Sequence, residues 1–547
     1  MVSSVRGLLR RHGHLVVFAA VVLAASIRRL GGFTPHSLWF DDAWAALPAR
    51  ESFSHALSMS VSTPLWTLAE RWWIMVGPDA SYWAQLPSYF FGLLGTLLMY
   101  PVLRRLGASA WAAALGASLF AVNPMMTTYS TRVKPYTLEV VLALLVYLCA
   151  DTARRERDRR SLRVLAVLSV LAALSSFGTL TTIGTVWLVL LWQSRGDRAT
   201  LRQRLRYATF AGVAAGSVVV PYVLSKPPSL SDNWVRRGYM FGYDSVHQFV
   251  HNLVSILAGF PHSFFNIAYR LKYDPGHSHH YGLIYVLAVA TVVLVVVTMV
   301  WWRREPVVDR QRWWVVAAII PASFFAAVID AFPFGDGRTD LVFYPAVVVV
   351  GTVLLERVVQ RRMTTMRGRR IGAIVVVFFA LVLPTQQLWA RPALYPTVEV
   401  RSLLSYIESE WRPGDVIVVP AFLTYTWAYD GVTPWHLEVG GRDQWPQGFR
   451  VVSDDSRVIV PVAWTGSDPQ LATLAERYRR VWYVGYTVGV WAPYWFPSTQ
   501  SGVPMPNFTS GALEQAGWRV SWFSHYSHNT YVTPMEFRPS TPVDPLL

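Results

Sequence analysis

The chain has 547 residues, 53% hydrophobic and 14% aromatic but only 15% charged, with a mean hydropathy of +0.31. Soluble domains carry about 25% charged residues, so an ordinary soluble protein is excluded. The single cysteine, Cys149, lies in an apolar run, which excludes a disulfide framework and reads as a small buried side chain. The net charge of +16 is no nucleic-acid footprint, because the cations gather in short segments between apolar runs, where they report membrane orientation.

In chain order, apolar runs near the ~20 residues that cross hydrocarbon are predicted near 13–30, 83–103, 109–126, 136–152, 162–177, 179–194, 206–225, 281–302, 313–331, 340–357 and 371–390. The basic clusters "RGLLRRHGH", "RR" at 104–105, "RRERDRR" at 154–160, "RGDRATLRQRLR" at 195–206, "WRREPVVDRQR" at 302–312 and "RVVQRRMTTMRGRR" at 357–370 share one side if the N-terminus is cytoplasmic. Arg28 and Arg29, at the outer end of the first span, are the exception. The fifth and sixth runs are short and share a tight hairpin around "SFGTL". Reading them as one re-entrant segment flips the later orientation, against the charge pattern. The first run also looks like a cleavable signal through "VLAAS", and its retention is expected.

This orientation puts the first loop (31–82), "NPMMTTYSTRVKPY" (123–136), the long loop 226–280, "FPFGDGRTD" (332–340) and everything after about 391 outside the cytoplasm. After 391 the composition turns ordinary. "VEVRSLLSYIESEWR" reads as an amphipathic helix, "PGDVIVVP" as turn and buried strand, and "SRVIVPVAW", "DPQLATLAERYRR" and "VWYVGYTV" continue the alternation. The final "GWRVSWFSHYSHNTYVTPMEF" suggests one or two closing strands. The predicted fold is a polytopic α-helical membrane domain over 1–390 with an extracytoplasmic α/β domain over 391–547. No repeat, phosphate-binding loop or dinucleotide fingerprint occurs, so ATP-driven chemistry has no support.

The outer loops carry the candidate chemistry. "LWFDDAWAAL" sets Asp41 and Asp42 side by side among Trp39, Phe40 and Trp44. One reading makes them caps of the following helix, "AWAALPARESF". The other makes them a coupled pair of which one is tuned as a base. In "YSTRVKPYTLE", Arg132 and Lys134 stand just before the next span, and Lys134 is one of only three lysines in the chain. A lysine is a compact point cation suited to a phosphate, or else a side chain snorkelling to headgroups. Arg338 lies between the turn-permitting glycines of "FPFGDGRTDLVFYP", with Asp336 or Asp340 as an alternative ion-pair partner. Tyr129, Tyr136, Trp39 and Trp234 are aromatic candidates for substrate contact. These pieces fit transfer of a sugar from a polyprenyl phosphate: a cation neutralises the leaving phosphate while a carboxylate deprotonates an acceptor hydroxyl attacking the anomeric carbon.

The four stretches "LWFDDAWAAL", "STPLWTLAERWWIMVGPDASYWAQLPSYFFGLLG", "YSTRVKPYTLE" and "FPFGDGRTDLVFYP" together resemble, in order, the GT-C superfamily of membrane glycosyltransferases. The likeness is to the branch holding protein O-mannosyltransferases, the aminoarabinose lipid A transferase and related bacterial enzymes that use polyprenyl-phosphate sugars. Asp42 stands where many relatives have Glu, Ser62-Thr63-Pro64 replaces a His-Pro-Pro element, Gln85 replaces an arginine, and Lys134 takes an arginine position. The resemblance implies Asp41 as base, with Asp42 supporting it or binding a divalent metal. It implies Lys134, Arg132 and Arg338 at the donor phosphate, and inversion in a single displacement. No other cofactor is implied. The partners it implies are a polyprenyl-phosphate sugar, such as mannose or arabinose, a cell-envelope glycan, lipid or protein acceptor and the lipid bilayer of a bacterial cytoplasmic membrane.

The cluster His277, His279, His280 and Asp274 in "YDPGHSHHYG" matches no standard metal spacing. "SVHQFVHNLVSILAGF" reads as an interfacial amphipathic helix that, with Trp234, Arg236 and Arg237, shapes an acceptor groove. Two rival readings remain at this stage. A transporter or lipid flippase places ionisable residues in mid-span and often shows paired half-repeats, whereas nearly all acids here fall in loops or span ends. A catalytically inactive glycan-binding relative is the other.

Overall fold

The structure, a computed structural model, describes most of residues 2–224, parts of 240–257 and 289–303, residues 307–334 and 339–362, and much of 399–486, with three strands between 518 and 537. The predicted runs 281–302 and 371–390, the histidine cluster, Trp234, Arg236, Arg237 and Arg338 lie wholly or largely outside the described residues. The described chain divides into two units. One comprises 1–33, 61–69 and 85–393, and the other 34–60, 70–84 and 394–547.

The first unit is helical. Its helices are α1 (Val2–Leu30), α5 (Ser81–Arg105, most of which falls here), α6 (Ala110–Val122), α7 (Pro124–Tyr129), α8 (Tyr136–Glu156), α9 (Arg159–Ser175), α10 (Gly178–Gln193), α11 (Arg198–Leu224), α12 (Val307–Ala317), α13 (Ile319–Val328) and α14 (Tyr344–Arg362). Four described helical segments are long and apolar enough to cross a membrane: His12–Leu30, Ser81–Arg105, Tyr136–Glu156 and Gln311–Val328. Ala110–Val122 and Gly178–Gln193 are shorter apolar helices. Around "SFGTL" the chain forms two separate helices, α9 and α10, joined through Ser176 and Phe177.

Apolar residues face outward here as well as inward. Leu23, Leu188, Phe210 and Val213 are each at least 58% exposed, the pattern of a surface solvated by lipid. The core between helices is built on small residues: Ala113, Ala117, Ala143, Ala150 and Ala166 are all buried beside Leu103, Phe120 and Tyr147. Small residues let helix backbones approach where no hydrophobic drive from water is available. A Cβ on Gly116 would fall 2.4 Å from Thr352 Oγ1, so α6 and α14 meet at a glycine contact.

Arg29, the exception to the charge pattern, is explained by its burial. Its side chain is 1% exposed, and Nη2 donates to Thr96 Oγ1 (3.2 Å) and Ala121 O (2.9 Å). It therefore joins α1 to α5 and α6 instead of reporting a side of the membrane. At the basic end of α8, Asp151 is fully buried and paired with Arg105 (2.9 Å), Arg154 (2.9 Å) and Arg155 (2.7 Å).

The second unit holds α2 (Phe40–Arg50), α3 (Phe53–Met59), most of α4 (Pro64–Val76), α15 (Arg401–Ser409), α16 (Ala421–Tyr429), α17 (Leu474–Arg477) and all the strands. These are β1 (Asp415–Val418), β2 (Trp435–Val439), β3 (Phe449–Ser453), β4 (Val458–Ile459), β5 (Arg480–Tyr486), β6 (Trp518–Val520), β7 (His525–Ser527) and β8 (Thr530–Phe537). The main sheet runs β4-β1-β5-β8-β6, with β7 also on β8. β1 is parallel to β4 and β5, and the three late strands are antiparallel, with Ser527 opposite Thr530. The expected "PGDVIVVP" and "VWYVGYTV" strands are its buried centre. Three closing strands are described where one or two were expected, because the segment after β6 divides into two strands, β7 and β8, that pair antiparallel with each other.

Arg480 and Asp415 stitch that centre together. Arg480 Nε donates to Asp415 Oδ1 (2.9 Å), and Trp482 Nε1 donates to Asp415 Oδ2 (2.9 Å). Arg480 also donates to Glu410 O (2.6 Å).

Candidate functional site

In the second unit, the Asp pair stands in the first turn of α2. The N-cap is Trp39, with no side-chain capping bond, and the amides of Asp42 and Ala43 both donate to Trp39 O at 2.9 Å. The capping alternative for the acids therefore does not describe this helix, although negative charge in a first turn still complements the helix dipole. The helix starts three residues earlier than "AWAALPARESF" suggests and ends at Arg50, ahead of the separate α3. Asp42 is fully buried and Asp41 partly so, with Trp39, Phe40 and Trp44 buried around them.

Helix α2 is built into the C-terminal part of the chain. Thr426 Oγ1, on α16, donates to Leu38 O (2.9 Å), and Arg50 Nη1 donates to Tyr429 O (2.6 Å). The Arg50 guanidinium also lies 3.8 Å from the centre of the Tyr429 ring and pairs with Asp79. Arg71 Nη1 donates to Ala49 O (3.1 Å) and to Glu51 O. A second lock fixes the hairpin from α4 to α5. Trp73 and Trp83 stack at 4.5 Å, and each indole N–H donates to the other residue's carbonyl at 2.8 Å.

Glu70, on α4, is the acid that sequence reasoning missed. It is 2% exposed, and among the described residues neither of its carboxylate oxygens has a hydrogen-bond partner. Burial, and then the negative charge of Asp42, push its pKa up to about 8. The available signal was one acid in the apolar run "LWTLAERWW". Asp430, next to Tyr429, is raised to about 6, first by burial, while Ser37 and Arg401 pull it down.

In the first unit, the loop leading to α8 is held from several directions. Asn123 caps α7, its Oδ1 accepting from the amides of Met125 (2.9 Å) and Met126 (3.2 Å), and its Nδ2 donates to the Tyr344 hydroxyl (3.1 Å). Ser88 Oγ donates to Lys134 O (3.0 Å), Thr137 Oγ1 donates to Ser88 O (2.9 Å), and the Lys134 amide donates to Arg132 O (2.9 Å). A Cβ on Gly92 would fall 2.2 Å from Ser130 Oγ, so α5 admits the loop only at a glycine. Arg132 and Lys134 end up 6% and 7% exposed. Tyr129 is buried and Tyr136 half-buried, their rings 5.0 Å apart and edge-on.

Glu139, in the first turn of α8, is a second acid missed in the sequence although it closes the motif "YSTRVKPYTLE". It is 4% exposed and accepts from the Ser176 hydroxyl, and a Cβ on Gly178 would fall 2.9 Å from its Oε2. Asp340 is buried in a short 3-10 turn (Thr339–Val342), while its expected neighbour Arg338 lies outside the described residues. Among the described residues no group of three or more His, Cys, Asp or Glu could hold a metal ion.

The chain matches no family model and no curated protein. Among solved structures it is similar to the protein O-mannosyltransferase Pmt1–Pmt2 complex of S. cerevisiae bound to the sugar donor, with 19% identity and a TM-score of 0.31 over 39% of this chain. The chain spans about a third of that protein's length, 33%. It is also similar to ArnT from Cupriavidus metallidurans bound to undecaprenyl phosphate, with 14% identity, 96% of this chain and 98% of that one covered, and a TM-score of 0.46. The apo form of the same ArnT gives 15% identity, the same coverage and a TM-score of 0.41.

Proposed function

We propose that the protein is an integral-membrane glycosyltransferase of the outer face of a bacterial cytoplasmic membrane. It moves a sugar from a polyprenyl-phosphate donor to a cell-envelope acceptor. In this reading residues 1–390 form the catalytic membrane domain, with the N-terminus cytoplasmic, about 11 spans and the C-terminal domain extracytoplasmic. The observation that carries it is the burial of two cations, Arg132 and Lys134, on a loop braced by Ser88 in a helical unit with a lipid-type exterior. A guanidinium and an ammonium on one loop suit the oxygens of a lipid-borne phosphate arriving from the bilayer.

The roles follow from the chemistry. Lys134 and Arg132 neutralise the leaving phosphate, which then departs without protonation. Asp41, partly exposed beside the buried Asp42, takes the proton of the acceptor hydroxyl as it attacks the anomeric carbon. Tyr129, Tyr136, Trp39 and Trp234 are the candidates for sugar contact, and Arg338 is a further candidate for the phosphate.

The test uses membranes carrying the full chain, with radiolabelled polyprenyl-phosphate mannose and arabinose supplied separately. Wild type transfers one of them, whereas Asp41→Asn and Lys134→Ala lose transfer by about 10²-fold or more. Transfer that survives both Asp41→Asn and Asp42→Asn removes the proposed base. Failure with every lipid-linked donor removes the reading.

A further inference from the structure

Two buried acids among the described residues are compensated on both oxygens. Asp151 has three arginines and Asp415 has Arg480 and Trp482. Glu70 is the contrast, because both of its oxygens are enclosed and neither meets a donor among the described residues. The charged and titratable groups around it are few. From α2 the negative charge of the buried Asp42 acts on it, and from α16 it adjoins Tyr429, whose hydroxyl is pushed upward first by burial and then by the charge of Glu70. The two nearby arginines are committed elsewhere. Arg50 lies over the Tyr429 ring, bonds Tyr429 O and pairs with Asp79, and Arg71 bonds the carbonyls of Ala49 and Glu51. Asp430 is bonded to Arg401.

Two ionised carboxylates in one desolvated place repel strongly. The cheapest relief is a proton, held by the member with less access to other stabilisation, and here that member is Glu70. We infer that Glu70 is a positioning residue that stays a neutral carboxylic acid beside Asp42, so that this end of the first loop carries one buried negative charge instead of two.

The consequence for the candidate reaction is electrostatic. With Glu70 neutral, this end of the first loop opposes an anionic lipid phosphate with one buried carboxylate instead of two. Loss of the Glu70 proton adds a second negative charge in a low-dielectric place and opposes the same anionic donor. Transfer therefore declines as pH rises through the titration of Glu70, at about 8. This inference rests on the proposed function for its meaning in catalysis, but not for its protonation state, and the two can be separated.

The experiment is infrared titration of the full-length protein in lipid nanodiscs, with glutamate carboxyl groups carrying ¹³C. The expected result is a protonated-carboxyl C=O band that shifts with the glutamate label, disappears at a midpoint near pH 8 and is missing from Glu70→Gln. In Asp42→Asn, a chain that keeps Glu70, the midpoint moves down because the repelling charge is gone. A wild-type band absent below neutral pH, a band unmoved by the glutamate label, or a midpoint unchanged in Asp42→Asn overturns the inference. In the transfer assay, Glu70→Gln loses the alkaline decline that wild type shows, whereas a merely structural role lowers the rate equally at every pH. If no lipid-linked donor is turned over while the infrared titration behaves as expected, the proposed function fails and the protonation of Glu70 stands.

Discussion

Asp151 and Glu70 are both buried carboxylates, and the protein treats them in opposite ways. Asp151 sits at the basic end of α8 with Arg105, Arg154 and Arg155 at 2.7–2.9 Å. Glu70 sits in the first loop beside another acid, with no donor to either oxygen among the described residues. A carboxylate that is neutralised from three sides is part of the framework, since it can do no acid–base work without losing its partners. One that is desolvated and unpartnered is costly to the fold and available to chemistry, which is where perturbed acids concentrate.

The largest effect that tests this contrast is on turnover. Asp41→Asn should lower transfer by about 10²–10⁴-fold, the contribution of general-base assistance, with the thermal unfolding of the purified chain nearly unmoved. A framework acid should show the reverse. Asp415→Ala leaves Arg480 buried without its partner and should cost about 3–5 kcal/mol, read as a lowered thermal midpoint with tryptophan fluorescence. An Asp415→Ala chain that melts with wild type would break the distinction.

Smaller changes sharpen it. Trp73→Phe removes one indole hydrogen bond and should cost about 1 kcal/mol while leaving transfer intact, as measured by denaturant unfolding. The smallest effect belongs to the exposed hairpin of β2 and β3, where His436 bonds Asp454 (2.6 Å) and Glu438 (3.4 Å). The hydrogen bond to Asp454, partly offset by desolvation and helped by Glu438, raises its pKa above 6.5. The sign follows from linkage: this stabilisation is full below the unfolded value of 6.5 and is lost as pH rises through the folded value. Because the ring is exposed, the amount is a few tenths of a kcal/mol. Amide exchange in the hairpin should quicken with pH beyond the intrinsic rate in wild type but not in His436→Gln.

The parts of the site that were legible in the sequence are those that break a pattern. Two adjacent acids among tryptophans, and a lysine in a chain that otherwise uses arginine, stand out against their surroundings and needed no coordinates to be noticed. Glu70 and Glu139 did not stand out, because each is a single acid near a helix, a place where acids are usually solvated or paired. Their meaning depends on which atoms surround them, and the linear pattern contains no such information. The same holds for Arg29. As a charge near a span end it looks like a topology signal, yet it is buried and its Nη2 donates to Thr96 and Ala121.

The sequence by itself determined that this is a helical protein with apolar, membrane-length segments, because hydrophobic period and length are local properties of the chain. It also located strands of the late region within "PGDVIVVP" and "VWYVGYTV", through alternation and turn residues. Only the tertiary structure decided that α2 and part of α4 pack with the C-terminal unit, that Asp415 is neutralised and that Glu70 is not. Burial and pairing are set by residues hundreds of positions apart, as Leu38 with Thr426 or Arg50 with Tyr429, and desolvation has no counterpart in the sequence until those residues meet.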